Sequence, residues 1–324
     1  MIATRNQLLR WAAEQRISLE DLPAAMRVVG VQPNGNDWRR LFDAMALWLG
    51  SLFVSVSVIF FFAYNWSDLG RLSKFALVEL PLLVSAGVAI WKGPHTDAGR
   101  AALLVATLLV GALLALIGQT YQTGADPWQL FALWAALILP WVVIARMPAL
   151  WILWLGLINL SLTLYYTTFG GLFGVLFSGN EIAWVLLVVN LSALVVWHYF
   201  SSTATTQRPG RWALRLLATA CGVLITTLMM YGILDGQDLL PATVVWIALM
   251  WAAHEVYRRR QPDLFVLAGC VLSAVFVLTA TLSRLLLDTV VESAGALLLV
   301  GLTIIALSAA GAWWLRSVAA ELDP

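Results

Sequence analysis

Glu79 is the ionisable side chain whose position asks for an explanation. It lies inside an apolar run, with Arg71 and Lys74 shortly before it and Pro81 just after it. An unpaired charge in hydrocarbon costs from about 3 to more than about 10 kcal/mol, so this carboxyl is expected to face other helices, to be protonated or to pair. Pro81 removes a backbone hydrogen bond and crowds the carbonyl four residues earlier, which predicts a kink beside the carboxyl. The chemistry open to such a group is proton or cation coupling. Its plainer counterpart is a structural hydrogen bond to a neighbouring helix.

A second polar concentration is 117–127, reading Ile-Gly-Gln-Thr-Tyr-Gln-Thr-Gly-Ala-Asp-Pro between two strongly apolar runs. Gly118, Gly124 and Pro127 mark it as a shaped turn. Gln119, Gln122 and Asp126 supply amides and a carboxylate. With Glu79 as floor and this turn as rim, the pattern predicts an outward-facing polar pocket suited to a cation, a proton or a polar headgroup. The plainer reading is a tight loop that reverses the chain.

Asn159 and Asn190 stand near the middle of consecutive apolar runs. They are expected to hydrogen-bond between helices, a contact of about 1 kcal/mol, with a polar substrate as the lesser alternative. Cys221 and Cys270 sit in apolar runs with no second ligand nearby and read as free thiols. His95, His198 and His254 lack metal-ligand spacing, and no Walker, dinucleotide or Gly-x-Ser-x-Gly fingerprint is present. No metal, cofactor or catalytic constellation is expected.

The elements that must hold these groups follow from composition. The chain has 324 residues, of which 61% are hydrophobic and 11% charged, against about 25% charged in soluble domains. This predicts an all-α polytopic membrane protein. Apolar runs of spanning length occur at 42–64, 75–91, 101–116, 128–145, 148–166, 182–200, 212–231, 239–256, 264–282 and 294–315, giving about ten transmembrane helices. The shorter run 171–178 is read as re-entrant or interfacial. Residues 1–40 read as a cytosolic helical hairpin, with Thr4 capping a first helix and Ser18 with Asp21 opening a second that ends near Gly30. A turn over 33–37 separates it from the bundle at 41–324, whose halves would be 41–166 and 182–315. The polar start predicts no cleavable signal peptide.

With the N-terminus inside, the outer segments keep only Arg71, Lys74 and Arg284, while the other Lys and Arg residues fall on the cytosolic side. This bias predicts both termini cytosolic. A net charge of +1 with no basic face argues against nucleic acid. Membrane lipids and an envelope protein are the partners such a chain would meet; the sequence leaves the oligomeric state open. A short echo, Gly118-Gln119 and Gly236-Gln237 each preceding an apolar run, hints at an internal repeat.

A resemblance rests on Leu8-x-x-Trp11 followed by Ile17-Ser18, then Phe61-Phe62-Ala63-Tyr64-Asn65-Trp66 closing the first span, then 117–126. Over roughly the first 145 residues the chain resembles a bacterial family of predicted membrane proteins known as domain of unknown function 2157. The resemblance implies a bacterial inner-membrane location and assigns no activity to any residue. Two functions fit the pattern: transport of a small solute or amphiphile through a pocket around Glu79, or a non-transporting envelope assembly or sensor protein acting through its hairpin and outer loops.

Overall fold

The computed structural model describes residues 2–18, 20–28, 35–64, 70–169, 181–203, 211–236, 239–289 and 294–322. Among the described residues the fold is helical throughout, and ten helices are long and apolar enough to cross a membrane. The stretch 171–178 lies outside the described residues. Helix α1 is Ile2–Ala13, α2 Leu22–Val28, α3 Gly35–Tyr64, α4 Arg71–Lys92, α5 Asp97–Tyr121 and α6 Pro127–Ala145. Then come α7 Pro148–Phe169, α8 Glu181–Thr203, α9 Arg211–Asp235, α10 Leu239–His254 with a π-helical extension Glu255–Arg260, α11 Leu264–Thr289 and α12 Ala294–Leu322.

The hairpin starts differently from its expected form. Helix α1 begins at Ile2, so Thr4 is inside it and not its cap. The second start is as the residues specify: the Ser18 hydroxyl donates to the Asp21 carboxylate at 2.8 Å and accepts from the Asp21 N–H at 3.1 Å. Of the expected turn at 33–37, residues 35–37 already belong to α3, and 33 and 34 lie outside the described residues. Asp37 falls in the first turn of α3, where a negative charge complements the helix dipole.

The chain forms two compact units, one of residues 1–126 with 136–147 and the other of 127–135 with 148–324. In the first, α5 is the centre and both α3 and α4 pack on it. Its buried face carries Ala101, Ala106, Leu109, Val110, Gly111 and Leu116, and α4 answers with Val78, Ser85 and Ala89. Small side chains on facing helices let the backbones approach, which is how helices associate where lipid removes the hydrophobic drive. The entrance to α5 is fixed by Thr96, whose hydroxyl accepts from the Gly99 N–H at 3.0 Å. A side chain at Gly99 would run into the Gly93 carbonyl, so this cap needs glycine.

In the second unit α9 is central, flanked by α8, α10 and α11, with α12 on α11. Leu214, Leu217, Cys221, Ile225, Leu228 and Gly232 are buried along it, the three-and-four spacing of one helix face. Cys221 and Cys270 are free. Gly311 of α12 lies so close to Val271 of α11 that a Cβ would clash.

The outward faces are apolar. Leu80, Leu83, Val84 and Ile90 on α4, and Leu297, Leu298, Ile305 and Trp313 on α12, are all exposed. A water-soluble fold does not leave such continuous apolar area uncovered; hydrocarbon is the solvent these faces match.

Candidate functional site

Helix α4 continues through Pro81 without a break. Its inner face is set by Val78, which packs with Leu116 in a cluster that includes Phe75, Ala112 and Leu113. Glu79 is one residue on, about 100° around the helix, and its side chain is exposed on the flank of α4. The expectation that it faces other helices is corrected: the stripe that packs on α5 is centred on Val78, Ser85 and Ala89, and Glu79 is out of phase with it.

The polar stretch is also reshaped. Residues 117–121 belong to α5, and Gly118 is helical. The chain leaves the helix only at Gln122, in a left-handed conformation with φ 46°, and the Gly118 carbonyl accepts from the N–H groups of Gln122 and Thr123. Only 122–126 is non-helical. Asp126 stands in extended conformation before Pro127, the first residue of α6, and its side chain makes no cap bond. Gln119 and Gln122 are exposed and Asp126 half-buried.

The start of α4 meets the end of α5. The Phe75 and Tyr121 rings are 6.0 Å apart, and the Arg71 guanidinium lies 5.4 Å from the Tyr121 ring centre. Glu79 stands one helical turn along α4 from Phe75, and Gln119 and Gln122 flank Tyr121 at the end of α5.

Asn159 and Asn190 meet across α7 and α8. The Asn190 Nδ2 donates to Asn159 Oδ1 at 2.6 Å and to the Leu186 carbonyl at 2.8 Å. Asn159 Nδ2 donates to the Leu155 carbonyl at 2.7 Å and to Asn190 Oδ1 at 3.4 Å. Four amide hydrogens meet four acceptors, two of them backbone carbonyls, so the pair has no donor left over.

Three polar assemblies were not legible as sites. One is a relay in the second unit. Trp246 Nε1 donates to Ser273 Oγ at 3.0 Å, Ser273 and Thr226 share a 2.6 Å hydrogen bond, and Thr226 donates to the Gly222 carbonyl at 2.7 Å. Each hydroxyl has one hydrogen, so Ser273 must be the donor to Thr226. Alternating Ser and Thr in apolar helices gave no signal for it.

Another is the ion pair of Arg215 and Asp263. Nε is 3.0 Å from one carboxylate oxygen and 3.2 Å from the other, and Asp263 is only 4% exposed against 40% for Arg215. Asp263 Oδ1 also accepts from the Phe265 N–H at 3.0 Å, and Arg211 donates to the Pro262 carbonyl at 3.1 Å. A Pro-Asp pair before an apolar run is a helix-start signal that could have flagged Asp263. At the same end Arg258 pairs with Glu321 at 3.2 Å, and His254 stacks on Trp314 at 5.8 Å.

The last is a cleft at the opposite end of α9, α10 and α11, lined by Gly232, Ile233, Gly236, Leu239, Thr281, Arg284 and Leu285. Gly236 is a left-handed turn residue with φ 69°, whereas Gly118 is helical. The two ends of the supposed repeat therefore differ in conformation, and Gln237 lies outside the described residues.

Residues 9–151 match the family model described as predicted membrane protein (DUF2157). The match covers the N-terminal region on which the resemblance rests, including Glu79 and 119–126, and it ends before Asn159. No curated protein and no solved structure matches the chain.

Proposed function

We propose that this integral membrane protein is a non-transporting envelope assembly or sensor protein of the bacterial inner membrane, with both termini cytosolic. The observation that carries this reading is the Asn159–Asn190 pair. A transport route through the second unit needs polar groups left open to a passing solute, and these amides spend their N–H hydrogens on each other and on the Leu155 and Leu186 carbonyls. The hydroxyls of Thr226 and Ser273 are likewise engaged within the protein. The parts left to act are the N-terminal hairpin and the outer turn with Gln122 and Asp126. Orientation rests on the Lys and Arg bias; a reporter fused to the C-terminus is expected to be active only in the cytosol.

The test uses a chain with Cys221 and Cys270 replaced by Ala and a single Ser273→Cys change, which is close to isosteric. A membrane-impermeant maleimide is expected to leave position 273 unlabelled while labelling a Gln122→Cys control. Labelling of both at similar rates would mean water reaches the core and would overturn the reading in favour of transport.

A specific observation keeps a second reading alive. Val78, next to Glu79, packs with Leu116, and Phe75 packs with Tyr121 in the stretch that runs on to Asp126, which supports a cation or proton site there. Under that reading, a Glu79→Gln variant reconstituted in vesicles loses proton or cation flux.

A further inference from the structure

We propose that the cleft formed by the ends of α9, α10 and α11 holds the anionic headgroup of a membrane phospholipid, with Arg284 as its cation. The cleft measures about 310 Å³, at the lower end for ligand pockets. That is room for a headgroup and the first atoms of its chains, with the tails outside. Leu234, Leu240 and Leu285 are 68%, 75% and 59% exposed around it, so it opens onto the apolar outer surface where lipid tails run. Ile233, Leu239 and Leu285 give it apolar walls, and Arg284 and Thr281 supply its polar side chains.

Each polar group has a defined part. At Gly236 the chain turns with φ 69°, and a Cβ there would lie 3.1 Å from Arg284 Nη2. The guanidinium is thus seated against the bare turn. It also contacts the rest of the protein, and a guanidinium carries five N–H donors. A planar guanidinium pairs with a phosphate through two parallel bonds. The Thr281 hydroxyl spends its hydrogen on the Val277 carbonyl at 2.9 Å and so offers the cleft lone pairs only. Lone pairs beside a cation suit a phosphate esterified to a hydroxyl-bearing group, such as phosphatidylglycerol, better than a bare phosphate. The position of Arg284 near the end of a spanning helix places it at headgroup depth, where long cationic side chains settle.

The experiment titrates the delipidated full-length protein in detergent with short-chain phosphatidylglycerol, phosphatidylcholine, phosphatidic acid and inorganic phosphate, read by native mass spectrometry. Phosphatidylglycerol is expected to bind about tenfold tighter than phosphatidylcholine, the low end for a hydrogen bond to a charged group. Arg284→Gln is expected to abolish that preference and Arg284→Lys to keep part of it. Equal binding of the two lipids by the unaltered protein, or a preference that survives Arg284→Gln, would overturn the site. Displacement of phosphatidylglycerol by inorganic phosphate at like concentration would overturn the lipid assignment in favour of a free anion. Should Arg284→Gln fail to fold, Thr281→Val supplies the check. It is expected to weaken phosphatidylglycerol about threefold, as for one neutral hydrogen bond, and to leave phosphatidic acid unchanged. An equal effect on both, or on neither, removes the headgroup contact and with it the proposal.

Discussion

In the first unit, polar side chains within apolar helices turn back on their own backbone. Ser51 donates to the Trp48 carbonyl, Ser55 to Ser51, Ser85 to Leu82 and Thr107 to Leu103. In the second unit some do the same, as Thr163, Thr219 and Thr303 do, but others reach across. Asn159 pairs with Asn190, Trp246 and Thr226 meet at Ser273, Trp154 donates to the Ala135 carbonyl and Ser161 to the Trp128 carbonyl. The difference shows two ways of joining helices in hydrocarbon. The α4–α5 pair is held by close approach of Ala89, Ala101, Ala106 and Gly111, a packing that needs no polar contact. The helices around α9 carry larger side chains, and directed hydrogen bonds fix which turn meets which.

If that contrast is right, removing polar side chains should hurt the second unit in graded steps and barely touch the first. The largest loss is expected for Arg215→Met, which strands the buried Asp263 carboxylate. Breaking a buried pair costs about 3–5 kcal/mol; with Arg215 at 40% exposure, about 2–3 kcal/mol is expected, measured by unfolding in mixed detergent. A loss below about 0.5 kcal/mol would mean water already solvates the pair.

Next comes Asn190→Leu. It leaves Asn159 without its partner and should cost about 1–2 kcal/mol. The double change Asn159→Leu with Asn190→Leu should recover more than half of that, because no amide is then orphaned. A double variant as unstable as the sum of the singles would show that the amides do not couple.

Ser273→Ala should cost about 1 kcal/mol, since Trp246 loses its acceptor while Thr226 keeps the Gly222 carbonyl. The smallest effect belongs to Ser85→Ala in the first unit, within about 0.5 kcal/mol of zero. Its hydroxyl bonds the Leu82 carbonyl of its own helix, a bond that adds little to the helix and can weaken it. A loss as large as that of Ser273→Ala would erase the contrast between the units.

Much of the architecture could be read from residues alone. The spans around 212–231 and 264–282 reappear as α9 and α11 with longer ends, because long apolar runs with basic flanks admit few other structures in a membrane protein. The Ser18–Asp21 start was readable because capping is a contact between neighbours in sequence. Helix ends were less so: the extension of α5 through Gly118 to Tyr121 turned on where one residue, Gln122, adopts a left-handed φ.

The candidate site divides along the same line. Sequence determined that Glu79, Gln119, Gln122 and Asp126 are among the polar residues of two adjacent spans and the turn after them, since hydropathy depends only on order along the chain. It also determined that Asn159 and Asn190 need partners, because an amide in hydrocarbon cannot go unbonded without a cost of several kcal/mol. Tertiary structure alone decided who the partners are. Glu79 falls about 100° from the face that packs on α5, and rotation of a helix about its axis is set by the sum of its contacts. Arg215 and Asp263 are 48 residues apart, and Thr226 and Ser273 are 47. In an apolar sequence the hydrophobic pattern is nearly uniform around each helix, so it cannot specify which faces meet; that is set by the packing of α9 against its neighbours.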